Sequence, residues 1–300
     1  MTEHAIKIKN LKKTFKNFQL DIPDLRVPSG FTTVIAGENG SGKTTLLRLL
    51  SGLDYAYQGE ITVLGVPVVP ENDHVKRRVG YTGGKNYFLP HMEIREILEI
   101  TRMLFPDFDE KKFHSLSDAL QIADGSDGDA MKKKICTLSE GTLVKLMLAL
   151  TLSRQTDLLL LDEPSSALDP LMRERLDQLL RNYMMPNGHS IVLSTHNITD
   201  MENLTDYLVI MADGKVVEDG FTEDLKEKYV SVEGDASFLP NVKDNLLSFS
   251  ENRFGFTGMA LKSVLKDVPS GVRLSRPTLS AITLSVMQHH THLQEVTPCD

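Results

Sequence analysis

Nine residues, Gly37-Glu38-Asn39-Gly40-Ser41-Gly42-Lys43-Thr44-Thr45, constrain this chain more than any other stretch. They follow an apolar run, Thr33-Val34-Ile35-Ala36, and precede a helical pattern, Leu46-Leu47-Arg48-Leu49-Leu50, so the segment reads as strand, glycine loop, helix. Glycine at 37, 40 and 42 lets the backbone turn tightly with its N–H groups pointing inward. The helix that follows brings the positive end of its dipole to the same point. A cradle of this kind selects phosphate. Lys43 is placed to reach terminal phosphates as a point charge, and the Thr44 hydroxyl to ligate a Mg²⁺ that bridges them. A glycine-rich turn before an ordinary helix is the plainer alternative, and the rest of the chain separates the two.

A length of 300 residues suffices for one large domain or two modest ones. With 33 basic against 41 acidic residues the net charge is −8, and the basic residues are scattered apart from Lys132-Lys133-Lys134. No footprint of nucleic-acid binding as the main task follows from that balance. Two cysteines, Cys136 and Cys299, lie far apart and offer no disulfide framework, which fits a reducing compartment. Met1 to Asn10 is polar and lacks the apolar centre of a signal peptide. The most apolar runs, Leu158 to Leu161 and Leu143 to Leu152, are too short or are interrupted by Lys145. Neither approaches the roughly 20 residues a bilayer demands, so any membrane role is expected to come through a partner.

Ile6-Lys7-Ile8-Lys9 alternates as an edge strand does, and Phe18 to Ile22 repeats the pattern. Gly59 to Leu64 and Arg78 to Tyr81 read as short strands, the second running into Thr82-Gly83-Gly84-Lys85. From about Glu93 the pattern turns helical, with a second helix over about Glu110 to Ala123. Leu138-Ser139-Glu140-Gly141-Thr142 opens a helix whose Leu143, Leu146, Met147 and Leu150 share one face, which puts Ser139 and Gly141 at a helix N-terminus. Leu158-Leu159-Leu160-Leu161 is apolar on both faces, as a central parallel strand is, and ends in Asp162-Glu163, where α/β sheets place their ligands. Asp169-Pro170 caps and starts a helix that turns Leu176, Leu179, Leu180 and Tyr183 inward. Ile191-Val192-Leu193 is another apolar strand, followed by Ser194-Thr195-His196, and Tyr207 to Asp219 forms a hairpin turning at Asp213-Gly214. Beyond about Lys226 the elements are short, for example Arg253 to Phe256 and Met259 to Leu265.

Phosphate loop, serine-glycine helix start, Asp-Glu strand end and His strand end fall in one order, and together they resemble the ATP-binding subunit of an ABC transporter, exporter type. The resemblance covers about Ile6 to Asp224. It implies an α/β fold: a P-loop NTPase core with a parallel sheet, an antiparallel β subdomain, an inserted helical subdomain at about 89–156 and a small C-terminal α+β appendage. The ATPase domain is then expected over 1–225 and an accessory domain over 226–300. By position, Gly37 to Thr45 matches the Walker A motif, Leu158 to Glu163 the Walker B motif, Leu138 to Thr142 the family signature, Ser166-Ala167-Leu168-Asp169 the D-loop and His196 the switch histidine. Phe15 falls where the family sets an aromatic ring against adenine. The implied ligands are ATP and Mg²⁺, with Gly37, Glu38, Asn39, Gly40, Ser41, Gly42, Lys43, Thr44 and Thr45 around the phosphates and Thr44 and Asp162 at the metal. Glu163 is the implied general base, assisted by His196 and Lys43. Ser139 and Gly141 are implied to close over the nucleotide of a second copy or a related ATPase subunit, with hydrolysis releasing the pair.

An integral membrane permease is the other implied partner, with the Tyr87-Phe88-Leu89-Pro90 stretch lying where its docking groove is usually built. That places the chain in the cytoplasm, on the inner face of the membrane, and no nucleic-acid partner is expected. Two positions depart from the family pattern: Glu140 stands in place of glycine, and Gly84 where the Q-loop glutamine belongs. Asn86 is a candidate substitute or an ordinary polar loop residue. His289, His290, His292 and Cys299 are too irregularly spaced to predict a metal site. Two rivals are a soluble ABC ATPase acting on nucleic acid or ribosomes, disfavoured by the acidic balance and the lack of coiled-coil heptads, and a P-loop kinase, which leaves Ser139 to Thr142 and His196 unexplained.

Overall fold

A computed structural model describes residues 3–83, 87–122, 130–185, 188–265 and 268–291. Its centre is a six-stranded sheet in the order Lys215–Phe221, Tyr207–Ala212, Thr32–Gly37, Ser190–Thr195, Leu158–Asp162, Val79–Gly83. All neighbours are parallel except the hairpin of the first two. Thr32–Gly37, Leu158–Asp162 and Ser190–Thr195 are buried at every position, because both faces of the sheet are covered. Alternate side chains serve different cores. Val34, Leu159, Leu161 and Leu193 join the helical side, while Ile35, Leu158, Leu160 and Val192 pack beneath the helix Lys43–Leu50 and the antiparallel sheet. Parallel pairing in register aligns the carboxyl ends, with Ala36 opposite Thr195, and Asp162 between Gly83 and Ser194. Chemistry therefore collects on one rim.

The antiparallel sheet runs Gln19–Pro28, His4–Thr14, Gln58–Val63, Val66–Pro67. His4–Thr14 is an interior strand rather than the edge its alternation led one to expect, since alternation reports one buried face and says nothing about neighbours. Across the main sheet lie the helices Ile94–Leu104, Glu110–Ala119, Glu140–Leu152 and Pro170–Met184. Ser139, Asp109 and Asp169 each accept a backbone N–H at the start of a helix. Glu140–Leu152 is buried more broadly than a single stripe: Leu146 and Leu148 to Leu152 are all enclosed. Its last turn is pressed onto Val79–Gly83, where the Thr82 hydroxyl donates to Thr151 Oγ1 at 2.8 Å and a Cβ on Gly80 would sit 2.6 Å from Thr151 Cγ2.

The C-terminal segment builds its own antiparallel sheet, Leu246–Asn252, Gly255–Leu261, Tyr229–Gly234, Val272–Ser275, over a small core of Val230, Val232, Leu239, Val242, Phe256 and Ala260. Residues 253–256 and 259–261, expected in separate pieces, belong to one hairpin turning at Arg253-Phe254, and 262–264 leave it as a turn. The final helix, Leu279–Thr291, inserts Leu279, Ile282, Val286 and Met287 into the core that also holds Leu208 and Ile210. His289 and His290 lie edge to face on it, His292 and Cys299 fall outside the described residues, and among the described residues no group of His, Cys, Asp and Glu could hold a metal ion by itself.

Candidate functional site

The glycine loop has the backbone that its sequence demands. Gly40 and Gly42 take φ +86° and +104°, values that suit glycine, and a Cβ on Gly42 would meet Phe18 at 2.9 Å. Gly42 caps the helix Lys43–Leu50 without a side-chain bond, which leaves the first-turn N–H groups for a ligand. Lys43 is 5% exposed, and its Nζ donates to Gly37 O at 2.7 Å and to Glu38 O at 3.0 Å. Burial lowers its pKa, opposed by the nearby carboxylates of Glu163 and Asp162. The Ser41 hydroxyl is buried and has no partner among the described residues, a donor that a phosphate oxygen would satisfy.

Opposite the loop stand the two carboxylates. Asp162 is 5% exposed, and its Oδ1 accepts from the Ser194 hydroxyl at 2.6 Å. The same Ser194 oxygen accepts the Glu163 N–H at 3.1 Å, so one buried serine fixes both residues. Glu163 occupies the left-handed region at φ +51°, a strain of about 1–3 kcal/mol for a residue with a side chain. The turn is over-determined. Ser166 N–H and hydroxyl both donate to Glu163 O, Glu163 Oε1 lies 3.7 Å from Lys43 Nζ, and Glu163 Oε2 lies 2.7 Å from His196 Nδ1. Glu163 thus meets Lys43 from the start of the loop helix and His196 from just beyond the adjoining strand.

A cleft of about 560 Å³ opens between the loop and these groups, lined by Phe15, Asn17, Phe18, Asn39, Gly40, Lys43, Thr44, Thr45 and Glu163 among others. That size suits a nucleotide. Phe15 is 44% exposed at its mouth, 5.9 Å from Phe18, with Lys13 Nζ 5.3 Å from the Phe15 ring. The buried Asp162 carboxylate and the exposed Thr44 hydroxyl on the neighbouring helix are hard oxygen donors, one charged and one neutral. Such a pair fits Mg²⁺, which is held by one or two protein oxygens with phosphates and waters supplying the rest.

Ser139 and Gly141 do not line this cleft. They sit at the start of Glu140–Leu152, with Ser139 accepting from Thr142 N–H at 3.1 Å and a hypothetical Gly141 Cβ 2.8 Å from Ala167 O of the chain's own D-loop. Glu140 is exposed at that helix start, while Gly84 and Asn86 lie outside the described residues. Sequence reasoning missed Ser194, Asn17 and Phe18. Ser194 is three residues beyond the start of an apolar run and two before His196, a spacing that in hindsight points to the strand's carboxyl end.

A phosphate loop, a carboxylate pair closing a central parallel strand and a histidine on the adjoining strand end define a P-loop ATPase. The ABC transporter family profile matches residues 20–166. The Nod factor export ATP-binding protein I of Burkholderia lata is 30% identical over 250 residues, covering 79% of this chain and 81% of that protein. Its namesake from Rhizobium etli is 27% identical over 299 residues, covering 97% and 92%. Among solved folds, a dimeric ATP-binding cassette in a post-hydrolysis state bound to ADP and Pi aligns with TM-score 0.60 at 22% identity, over 72% of this chain and 98% of that one. The chain belongs to the ABC transporter ATP-binding proteins: it is an ATPase and the ATP-binding subunit of a transporter. No helix among the described residues is long and apolar enough to cross a membrane.

Proposed function

We propose that this subunit closes as an ATP-bound dimer, hydrolyses ATP with Glu163 as general base, and drives a separate permease in the direction of export. The observation that carries the chemistry is the set of contacts on Glu163, which is strained at its backbone and gripped by Ser194, Ser166, Lys43 and His196. A carboxylate held that firmly is pre-organised, and positioning is most of what phosphoryl transfer asks of a protein. In this reading Phe15 stacks on the base, and Gly37 to Thr45 receive the phosphates. Lys43 turns from the Gly37 and Glu38 carbonyls towards the terminal phosphate, while Glu163 accepts a proton from the attacking water and His196 orients that carboxylate. Thr44 and Asp162 hold Mg²⁺, which when bound neutralises the phosphate oxygens. Ser194 occupies one Asp162 oxygen and leaves the other for this role.

The helix start at Ser139 and Gly141 carries an electropositive end with no phosphate of its own, and a second copy supplies one. Tyr87 and Leu89 are exposed in the stretch before the helix Ile94–Leu104, and exposed apolar side chains there suit a permease loop. Export is favoured by likeness to the Nod factor export subunit along nearly the whole chain, C-terminal segment included. Residues 1–225 are assigned to the ATPase unit and 226–300 to an accessory unit, a division supported by the latter's own sheet and small core.

Gel filtration of Glu163→Gln tests the core of this reading. A stable dimer is expected at millimolar ATP and a monomer without it, and a monomer under both conditions refutes the sandwich. Inverted vesicles carrying subunit and permease test direction: ATP should load them with cargo, and ATP-driven emptying refutes export.

A further inference from the structure

Tyr81 has a hydroxyl that the fold buries and leaves without a hydrogen-bond partner among the described residues. Buried polar groups are normally satisfied, so an orphan of this kind calls for an explanation. Its position supplies one. In the strand Val79–Gly83, Tyr81 pairs with Leu160 and Gly83 with Asp162. Side chains alternate along a strand, so Tyr81 and Asp162 leave the sheet on the same face. Tyr81 packs against the cluster that includes Leu158, Leu160 and Leu49, beneath the helix that carries Thr44. Nothing stands between phenol and carboxylate from residue 83. Gly83 is pressed so close to Asp162 that a Cβ there would lie 2.3 Å from the Asp162 Cβ, and at φ +140° it takes a backbone that side chains avoid. Burial, with the Asp162 charge added, keeps the phenol above its usual range, so it remains a donor at neutral pH.

We infer that the Tyr81 hydroxyl is a positioning residue for the metal end of the nucleotide site, donating to the carboxylate and water shell at Asp162 that Mg²⁺ with ATP completes. The inference rests on the reading that Asp162 and Thr44 hold Mg²⁺. The rival account is a core tyrosine whose hydroxyl does nothing. The two differ in sign. A hydroxyl that is unpartnered before binding and partnered after it burdens the empty protein and helps the loaded one.

Tyr81→Phe removes only that oxygen and keeps the ring. It is tested on a Glu163→Gln background, so that turnover does not blur binding, with a fluorescent ATP analogue as the probe. The thermal midpoint of the nucleotide-free protein is expected to stay level or rise. Affinity for the analogue in EDTA should stay within about twofold, whereas the Mg²⁺ concentration giving half-maximal tightening should rise roughly five- to tenfold, the worth of one hydrogen bond. A Mg²⁺ requirement within about twofold of the parent, or an equal loss of affinity in EDTA, overturns the role. Asp162→Asn separates the two layers. If it abolishes the Mg²⁺ effect while Tyr81→Phe does not alter it, the tyrosine alone is refuted. If neither changes it, the assignment of Asp162 falls as well.

Discussion

Ser194→Ala is the perturbation that most directly tests how the two carboxylates are held. Ser194 is fully buried in the strand Ser190–Thr195, and register sets it opposite Asp162 across the parallel pair. Alanine fits the space and deletes two interactions: the 2.6 Å bond to Asp162 Oδ1 and the 3.1 Å bond from Glu163 N–H. A bond to a charged group is worth about 1.5–3 kcal/mol and a neutral one about 0.5–1.5 kcal/mol, so the loss should total roughly 2–4.5 kcal/mol. Against a native stability of about 5–15 kcal/mol the variant still folds. Its Glu163, at φ +51° and freed at its own N–H, is expected to relax out of line with its water. Displacements of about 1 Å cost on the order of 100-fold, so phosphate release should fall roughly 10- to 100-fold while ATP affinity without Mg²⁺ stays near that of the parent. Urea denaturation measures the first quantity and a coupled phosphate assay the second. A variant within about 0.5 kcal/mol of the parent, turning over within twofold, would refute the claim that Ser194 organises the pair.

Two further predictions follow from packing and from pH. Gly141→Ala places a Cβ 2.8 Å from Ala167 O, a backbone atom that gives way only by moving the D-loop, so the monomer's melting point should fall and ATP-driven dimerisation and hydrolysis should drop on the order of tenfold. Wild-type dimerisation by light scattering would show that the contact is slack. Burial is the largest cause of raised pKa values at Tyr81, Tyr183, Tyr207 and Tyr229. Each therefore stays protonated in the folded chain at a pH where the unfolded chain, with an ordinary phenol near 10.0, has lost its proton. Their stabilisation is complete below pH 10.0 and is lost above it, so denaturant midpoints should fall from about pH 10. A midpoint that is flat to pH 11 would contradict it.

The phosphate loop and the Asp162-Glu163 strand end were readable because their chemistry is local. Three glycines beside a lysine, and an apolar run ending in two carboxylates, carry their geometry within a few residues. Asp169-Pro170 was readable for the same reason, since a cap and its first-turn proline are neighbours. Ser194 was not, because its role exists only once two strands pair in register 32 residues apart. Asn17 and Phe18 reach the cleft only after the strand Gln19–Pro28 folds against the loop, where Phe18 stops under Gly42. The alternation of Ile6 to Lys9 revealed a buried face and could not reveal that His4–Thr14 has a neighbour on both sides.

The signature helix is held to the core at both ends, which bears on how this chain sends a signal with glycine at position 84. At its start Gly141 lies against Ala167, and the D-loop between Ala167 and Glu163 is pinned by Ser166. At its far end Thr151 is bonded to Thr82 and packed on Gly80, in the strand that carries Tyr81 and ends beside Asp162. Two routes therefore join the carboxylates to one helix, one through the D-loop to its first turn and one through the strand to its last. Neither uses the side chain of residue 84. Coupling needs contiguous packing and an element with two arrangements. The packing is present on both routes, and both start at the carboxylate pair, where Glu163 is held at φ +51° by Lys43 and His196.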